Sequence, residues 1–316
     1  MKKLFLIRNP NLFQGEKYLK DNKNYFEGWY FKHTNKKDNI SFIPGINVNG
    51  QDKKSFIQII TNYSSYFIDY NISDFEYSFD PFYVKIGNSF FSKDGITINI
   101  DDSKQNLHVY GTLKYSNNWD IDRNVFSPNI MGPFSYIPFM EFNHAILIMK
   151  NDTYGIININ DTKICFDKGI GYIEKDWGIS FPKSYIWCQG NSFKNSSTSF
   201  MLSIANIPFK FFSFRGIICN LIVDNKEYRF ATYNNTKILK YTISNNLIDI
   251  ELKKGHYLLE IKSQSNNGLK LIAPTNGRMN KDILESISSV IVITLKNNNN
   301  VIFSDTSTNC GLEIVI

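Results

Sequence analysis

Three short blocks hold most of the residues that could do chemistry. In GYIEKDWGISFP, residues 171–182, Glu174 and Asp176 stand two apart, directly before Trp177 and Gly178. Alternate side chains of a strand share a face. Tyr172, Glu174 and Asp176 therefore fall on one face, and Ile173, Lys175 and Trp177 on the other. Positions two apart are separated by ~6.5–7 Å along a strand. If the acidic face lines a dry interior, desolvation and mutual repulsion raise the pKa of at least one carboxyl. A carboxylic acid held protonated near neutral pH can protonate a weakly basic substrate. The opposite phase stays open: the carboxylates face water, Ile173 and Trp177 fill the core, and Lys175 sits at the rim.

The second block is YFEGWYFKH, residues 25–33, where Glu27, Trp29, Phe31 and His33 share one face and Phe26, Gly28 and Tyr30 the other. A Glu among aromatics is either a tuned acid or a buried carboxylate satisfied by a Tyr hydroxyl or backbone amide. Gly28 inside a strand marks a bulge or a close backbone approach. The third block is MGPFSYIPFMEFNHAILIM, residues 131–149. As a strand it puts His144 with Phe142 and Ile146, and Glu141 on the other face. The structural reading of His144 is a hydrogen-bonded core residue. As a metal pair Glu141 and His144 are weak, because no third ligand is evident. No metal site is expected.

Familiar cofactor signals are missing. The chain has no G-x-S-x-G elbow, no phosphate-binding G-x-x-x-x-G-K-[ST] loop and no G-x-G-x-x-G after a strand. What remains is cofactor-free chemistry or simple binding. The cysteines, Cys165, Cys188, Cys219 and Cys310, show no C-x-x-C spacing and read as small buried residues in a reducing, cytoplasmic setting.

These blocks must be positioned by strands. Helical periodicity is nearly absent, while Val, Ile, Phe, Tyr and Thr dominate and turn signals recur throughout. SFIQIITNY, GITINID, LHVYGTLKY, YGIININ, SFMLSIAN, HYLLEIKSQ and SVIVITLKN all read as strands. Residues 279–288, MNKDILESIS, read as one short C-terminal helix, with Met279, Ile283 and Ile287 at i, i+4 and i+8. The Asn run at 297–300 reads as a polar turn. With 316 residues, 42% of them hydrophobic, the chain is expected to form an all-β protein of two antiparallel barrels. The expected boundary gives residues 1–180, carrying the acidic-aromatic motifs, and 181–316.

Composition narrows the partners. The net charge of +6 is carried by scattered Lys residues, without a nucleic-acid-binding motif, so no nucleic acid partner is expected. The apolar run Leu4–Ile7 ends at Arg8 and is shorter than the ~7–15 residues of a secretory h-region, so export is not expected. The apolar segment 126–149 is broken by Pro128, Pro133 and Pro138 and reads as a loop leading into a strand. Its first part, residues 126–140, could give peripheral membrane contact.

Taken together, YFEGWYFKH, MGPFSYIPFMEFNH and GYIEKDWGISFPKSYIWCQGNSF resemble blocks of the tocopherol cyclase family. FATY at 230–233, GRM with ILESIS at 277–288, and the closing CGLEIV agree in order. The EKDWG run is also similar to the acidic-Trp-Gly motif of the carotenoid hydratase and AttH-like lipocalin group. The resemblance implies two lipocalin-like β-barrels and a hydrophobic substrate or lipid. It implies a cofactor-independent, acid-catalysed cyclase of a prenylated quinol or related isoprenoid. The alternatives are a hydratase of a polyene lipid and a non-catalytic lipocalin-like binding protein. On this reading Asp176 and Glu174 are the catalytic acids. Trp29, Tyr30 and Trp177 line the cavity and stabilise a cation, with Tyr172 on the acids' face. Glu27, Glu141 and His144 complete a polar cluster that orients a hydroxyl.

Overall fold

The computed structural model describes all residues except 1, 139, 210, 211, 245, 246, 266 and 267, with the side chains of 208, 209 and 212 set aside. The chain divides into two units. Unit 1 holds residues 1–120, 138–181 and 271–282, and unit 2 holds 121–137, 182–270 and 283–316.

In unit 1, β1 (Tyr25–Thr34), β2 (Asn39–Asn49), β3 (Asp52–Thr61) and β4 (Ser65–Asn71) form a meander. The short strands β5 (Phe75–Phe79), β6 (Phe82–Ile86) and β7 (Ser89–Ser92) follow, then β8 (Gly95–Asp102) and β9 (Leu107–Trp119). β10 (Phe142–Ile159), β11 (Thr162–Cys165) and β12 (Gly169–Gly178) complete the set. Among the described residues they make one 12-stranded sheet, ordered β4-β3-β2-β1-β12-β10-β9-β8-β7-β6-β5, with β11 beside β10. The insertion of β12 between β1 and β10 brings all three sequence blocks side by side.

Unit 2 carries β13 (Tyr185–Gly190), β14 (Ser192–Phe193), β15 (Thr198–Phe209), β16 (Phe212–Val223) and β17 (Lys226–Ala231). After these come β18 (Lys237–Ser244), β19 (Leu247–Lys254), β20 (Tyr257–Gln264), β21 (Leu269–Thr275), β22 (Arg278–Asn297) and β23 (Asn300–Val315). Among the described residues they form an 11-stranded sheet. Its strands pair antiparallel, as in β13 with β15 and β23. The tip of the β21–β22 hairpin, residues 271–282, belongs to unit 1.

Period-2 alternation builds these strands, as in β8, where Ile96, Ile98 and Ile100 are buried between exposed neighbours. Asn richness serves the turns. Two-residue hairpin loops favour positive φ at both central residues. Asp224-Asn225 between β16 and β17, and Asn298-Asn299 between β22 and β23, supply it. The Asn run at 297–300 is thus a turn, as expected. All seven stretches read as strands are strands.

The expected helix at 279–288 is not one: these residues lie within β22. Met279, Ile283 and Ile287 are spaced by four, which fits a strand face as well as a helix face, and a continuous β-branched run carries the extended chain onward. Helices occur instead near the N-terminus, α1 (Lys2–Arg8) and α2 (Glu16–Asp21). All four cysteines are free, and Cys165 is exposed rather than buried. Among the described residues no helix is long and apolar enough to cross a membrane.

Candidate active site

β12 is the centre of the site because each of its faces carries a buried ionisable side chain, Lys175 on one and Glu174 on the other. Cross-strand register sets Trp29 beside Lys175 and Phe31 beside Ile173, and Ala145 beside Lys175 on the other flank. Trp29, Phe31, Ala145 and Ile173 belong to the apolar core of unit 1. The core face of β12 is therefore the Ile173–Lys175–Trp177 face. Glu174 and Asp176 point to the opposite face, so of the two phases the sequence left open, the apolar core takes the Ile173–Lys175–Trp177 one. They are nevertheless withdrawn from solvent: the Glu174 side chain is 6% exposed and that of Asp176 19%.

On the core face Lys175 sits at no rim. Its side chain and that of Glu27 are both fully buried, with Nζ 2.5 Å from Glu27 Oε1. Nζ also donates to the carbonyls of Pro10 at 2.9 Å and Leu12 at 2.6 Å. It lies 4.9 Å from the Trp29 ring and 4.8 Å from the Trp177 ring. Glu27 accepts from the Tyr25 hydroxyl at 2.8 Å and from the Gln14 amide at 2.9 and 3.0 Å. Burial pushes the Glu27 carboxyl up, against the pull of Lys175. Burial likewise brings Lys175 down to about 8, against the pull of Glu27. The pair clamps residues 10–14 onto the sheet. Trp29 and Trp177 are committed to this cation, and Trp29 Nε1 donates to Asn11 O at 3.0 Å. His33, on the same face, is a neutral core residue: burial lowers it to about 3, and Nε2 meets the Tyr115 hydroxyl at 2.6 Å.

The other face gathers the acids. Gly45, Gly28, Asp176 and His144 form one cross-strand row. Tyr30, Glu174 and Ile146 form the next. His144 Nδ1 lies 2.7 Å from Asp176 Oδ1, and its Nε2 lies 3.5 Å from Glu174 Oε2. Tyr172 donates its hydroxyl to Glu174 Oε2 at 2.6 Å, and Ser41 donates to the Tyr30 hydroxyl at 3.0 Å. Burial of His144 favours its neutral form, but the charges of Glu174 and Asp176 and the hydrogen bond that the ring donates to Asp176 outweigh it and raise its pKa. Burial, with Glu174 beside it, holds the Tyr172 hydroxyl well above its usual range, so it stays a donor.

Of the residues expected here, Asp176, Glu174, His144, Tyr172 and Tyr30 share this face. Glu27, Trp29 and Trp177 are on the core face instead. Glu141 precedes β10 and is exposed, outside the cluster. Sequence reasoning missed an aromatic group on the acid face. Phe26 and Phe142 both pair with Gly178, two residues from Asp176. Their ring centroids are 6.4 Å apart, and Phe181 packs edge-on to them at 5.4 and 5.2 Å. Gly28, the cross-strand neighbour of Asp176, lacks a side chain without a steric need for it. A Cβ there would meet nothing closer than 3.7 Å, whereas one at Gly45 would strike the Phe56 ring at 2.5 Å.

Three donors thus converge where the sequence suggested only two. The ligand atoms of His144, Glu174 and Asp176 lie within 4.8 Å of one another and could hold a divalent cation. The short Asp176–His144 contact equally makes them a proton-sharing triad.

A model of tocopherol cyclase-like proteins matches residues 97–315, which includes β10, β12 and the whole acid triad. The chain belongs to the tocopherol cyclase-like family. No curated protein matches its sequence. Among solved structures, CghA in complex with Sch210972 is similar at 8% identity and TM-score 0.57, over 93% of this chain and 89% of that one. A protein assigned as AttH from Nitrosomonas europaea is similar at 10% identity and TM-score 0.54, over 93% of each chain. Kievitone hydratase from Nectria haematococca is similar at 12% identity and TM-score 0.51, over 96% and 93%. At such identities these likenesses establish a shared fold, and the function has to come from the site.

Proposed function

We propose that this tocopherol cyclase-like protein is a cofactor-independent enzyme that adds an O–H group across a carbon–carbon double bond of a prenylated quinol or related isoprenoid lipid. The observation that carries this reading is the 2.7 Å contact between Asp176 and His144, with Glu174 on the far side of the imidazole. The reaction gains one proton at carbon and loses one from oxygen, so it needs a donor and an acceptor within reach of one substrate. Asp176 passes the proton it shares with His144 to the alkene carbon. The hydroxyl oxygen attacks the adjacent carbon in concert, so a full cation need not accumulate. The proton that the oxygen releases returns to the triad through Glu174 or His144. Asp176 is the donor because its side chain is the more exposed of the two acids. Phe26 and Phe142 offer π faces to developing positive charge.

We also read each sheet as curling into a lipocalin-like barrel. The two edge strands of unit 1, β4 and β5, are consecutive in the chain with only residues 72–74 between them, which favours closure. A substrate bearing a free alkene and water as nucleophile would make the enzyme a hydratase, a reading that the likeness to kievitone hydratase favours.

Asp176→Asn, offered a panel of prenylated hydroquinones and polyenes, should lose turnover by about 10²-fold or more while retaining ligand affinity and fold. Wild-type turnover in this variant would remove the acid role. If the wild-type protein binds these lipids and returns them unchanged, it is a binding protein instead.

A further inference from the structure

The structure assigns a second ligand site to unit 2, a cavity of about 330 Å3 beside Arg215 that takes a small carboxylate-bearing molecule with a flat apolar body. Register places Asn206 of β15 opposite Arg215 of β16, two positions beyond the Ile204–Ile217 pair. Ile204 and Ile217 are part of the unit 2 core. The core face of this sheet therefore changes from apolar to polar at the Asn206–Arg215 pair, and the cavity lies at that change.

Arg215 is the only charged side chain lining the cavity among the described residues. Its guanidinium lies 4.2 Å from the centroid of the Tyr241 ring. A guanidinium over an aromatic ring keeps N–H groups for a carboxylate, which it can grip through two parallel hydrogen bonds. Among the described residues no carboxylate lies within ion-pair distance of it, so the charge is not neutralised from within the protein. Ser184, Asn206 and Ser213 add neutral polar groups, while Phe214, Tyr241 and Ile204 supply apolar walls. One cation among neutral donors balances one negative charge, which favours a carboxylate over a doubly charged phosphate. The volume is near the lower end of the ~300–1,000 Å3 of small-molecule sites, which limits the ligand to about the size of a two-ring aromatic acid.

The test is an amide-resolved NMR titration of the full chain with 2-naphthoate, its uncharged analogue 2-naphthamide and inorganic phosphate. Saturable shifts are expected at Ser184, Asn206, Ser213 and Arg215 with 2-naphthoate. Binding of 2-naphthamide, and of 2-naphthoate to Arg215→Gln, should be at least ten-fold weaker. Arg215 is exposed, so the variant keeps its fold, and the rest of its spectrum should be unchanged. Asp176→Asn should bind 2-naphthoate like wild type. Equal binding of acid and amide, undiminished binding in Arg215→Gln, shifts confined to other residues, or phosphate binding as tightly as 2-naphthoate would each overturn the assignment.

Discussion

His144 is the residue on which the proposed chemistry turns, because two carboxylates compete for its proton. A histidine whose folded pKa exceeds its unfolded value binds its proton more tightly in the folded protein. Its contribution to stability is complete below the ordinary value of 6.5 and is lost as pH rises through the raised one. Urea unfolding between about pH 6 and 8 should therefore show stability falling with pH, and His144→Gln should flatten that slope. Identical slopes would mean that the imidazole carries no extra proton. The same triad could ligate a divalent ion, and that is a separate experiment. Dialysis against EDTA should leave turnover unchanged, whereas loss restored by a divalent cation would replace proton sharing with Lewis-acid chemistry. The pairing of His144 with Asp176 was not legible in the sequence. Strand parity tells which residues of one strand share a face, but nothing about which distant strand lies beside it.

β12 shows what strand-level reasoning reads and where it stops. The division into Tyr172–Glu174–Asp176 and Ile173–Lys175–Trp177 follows from alternation and holds. Which face meets the core does not follow, because alternation has the same period in either phase. The decisive fact is that Lys175 reaches Glu27, 148 positions away, and the carbonyls of residues 10 and 12. The helix misread at 279–288 has a related cause: a spacing of four satisfies a period of 2 as well as one of 3.6. The buried pair itself is a desolvation-dominated element, since burial shifts both partners towards neutrality. Removing one partner of such a pair leaves a lone buried charge and costs about 3–5 kcal/mol. Lys175→Met should show that loss in chemical unfolding, and Glu27→Gln with Lys175→Met should recover much of it. A double variant no more stable than the single would mean that the carbonyl contacts of Lys175, not the charge pair, hold the N-terminal segment.

On the scale of the whole chain, the two compact units are not consecutive stretches of the sequence. Unit 1 takes residues 271–282 from far downstream, and that segment partners polar groups of residues 47–181. Buried Gln58 donates to Ile272 O at 3.0 Å and accepts from Ile272 N at 2.8 Å. Buried Asn47 donates to Gly277 O at 3.3 Å, and Ile179 O accepts from Gly277 N at 2.8 Å. Phe181 N donates to Pro274 O at 3.2 Å. A buried amide stripped of its partners costs roughly 1–3 kcal/mol, and several together approach the ~5–15 kcal/mol net stability of a domain. Residues 1–181 expressed alone should therefore give a broad or absent thermal transition and poorly dispersed amide signals. Adding a peptide spanning 269–284 should sharpen the transition and raise its midpoint with peptide concentration, as mass action requires. If the fragment melts cooperatively without the peptide and is indifferent to its addition, the hairpin tip is an accessory to unit 1, and the strands around β12 hold the acid triad unaided.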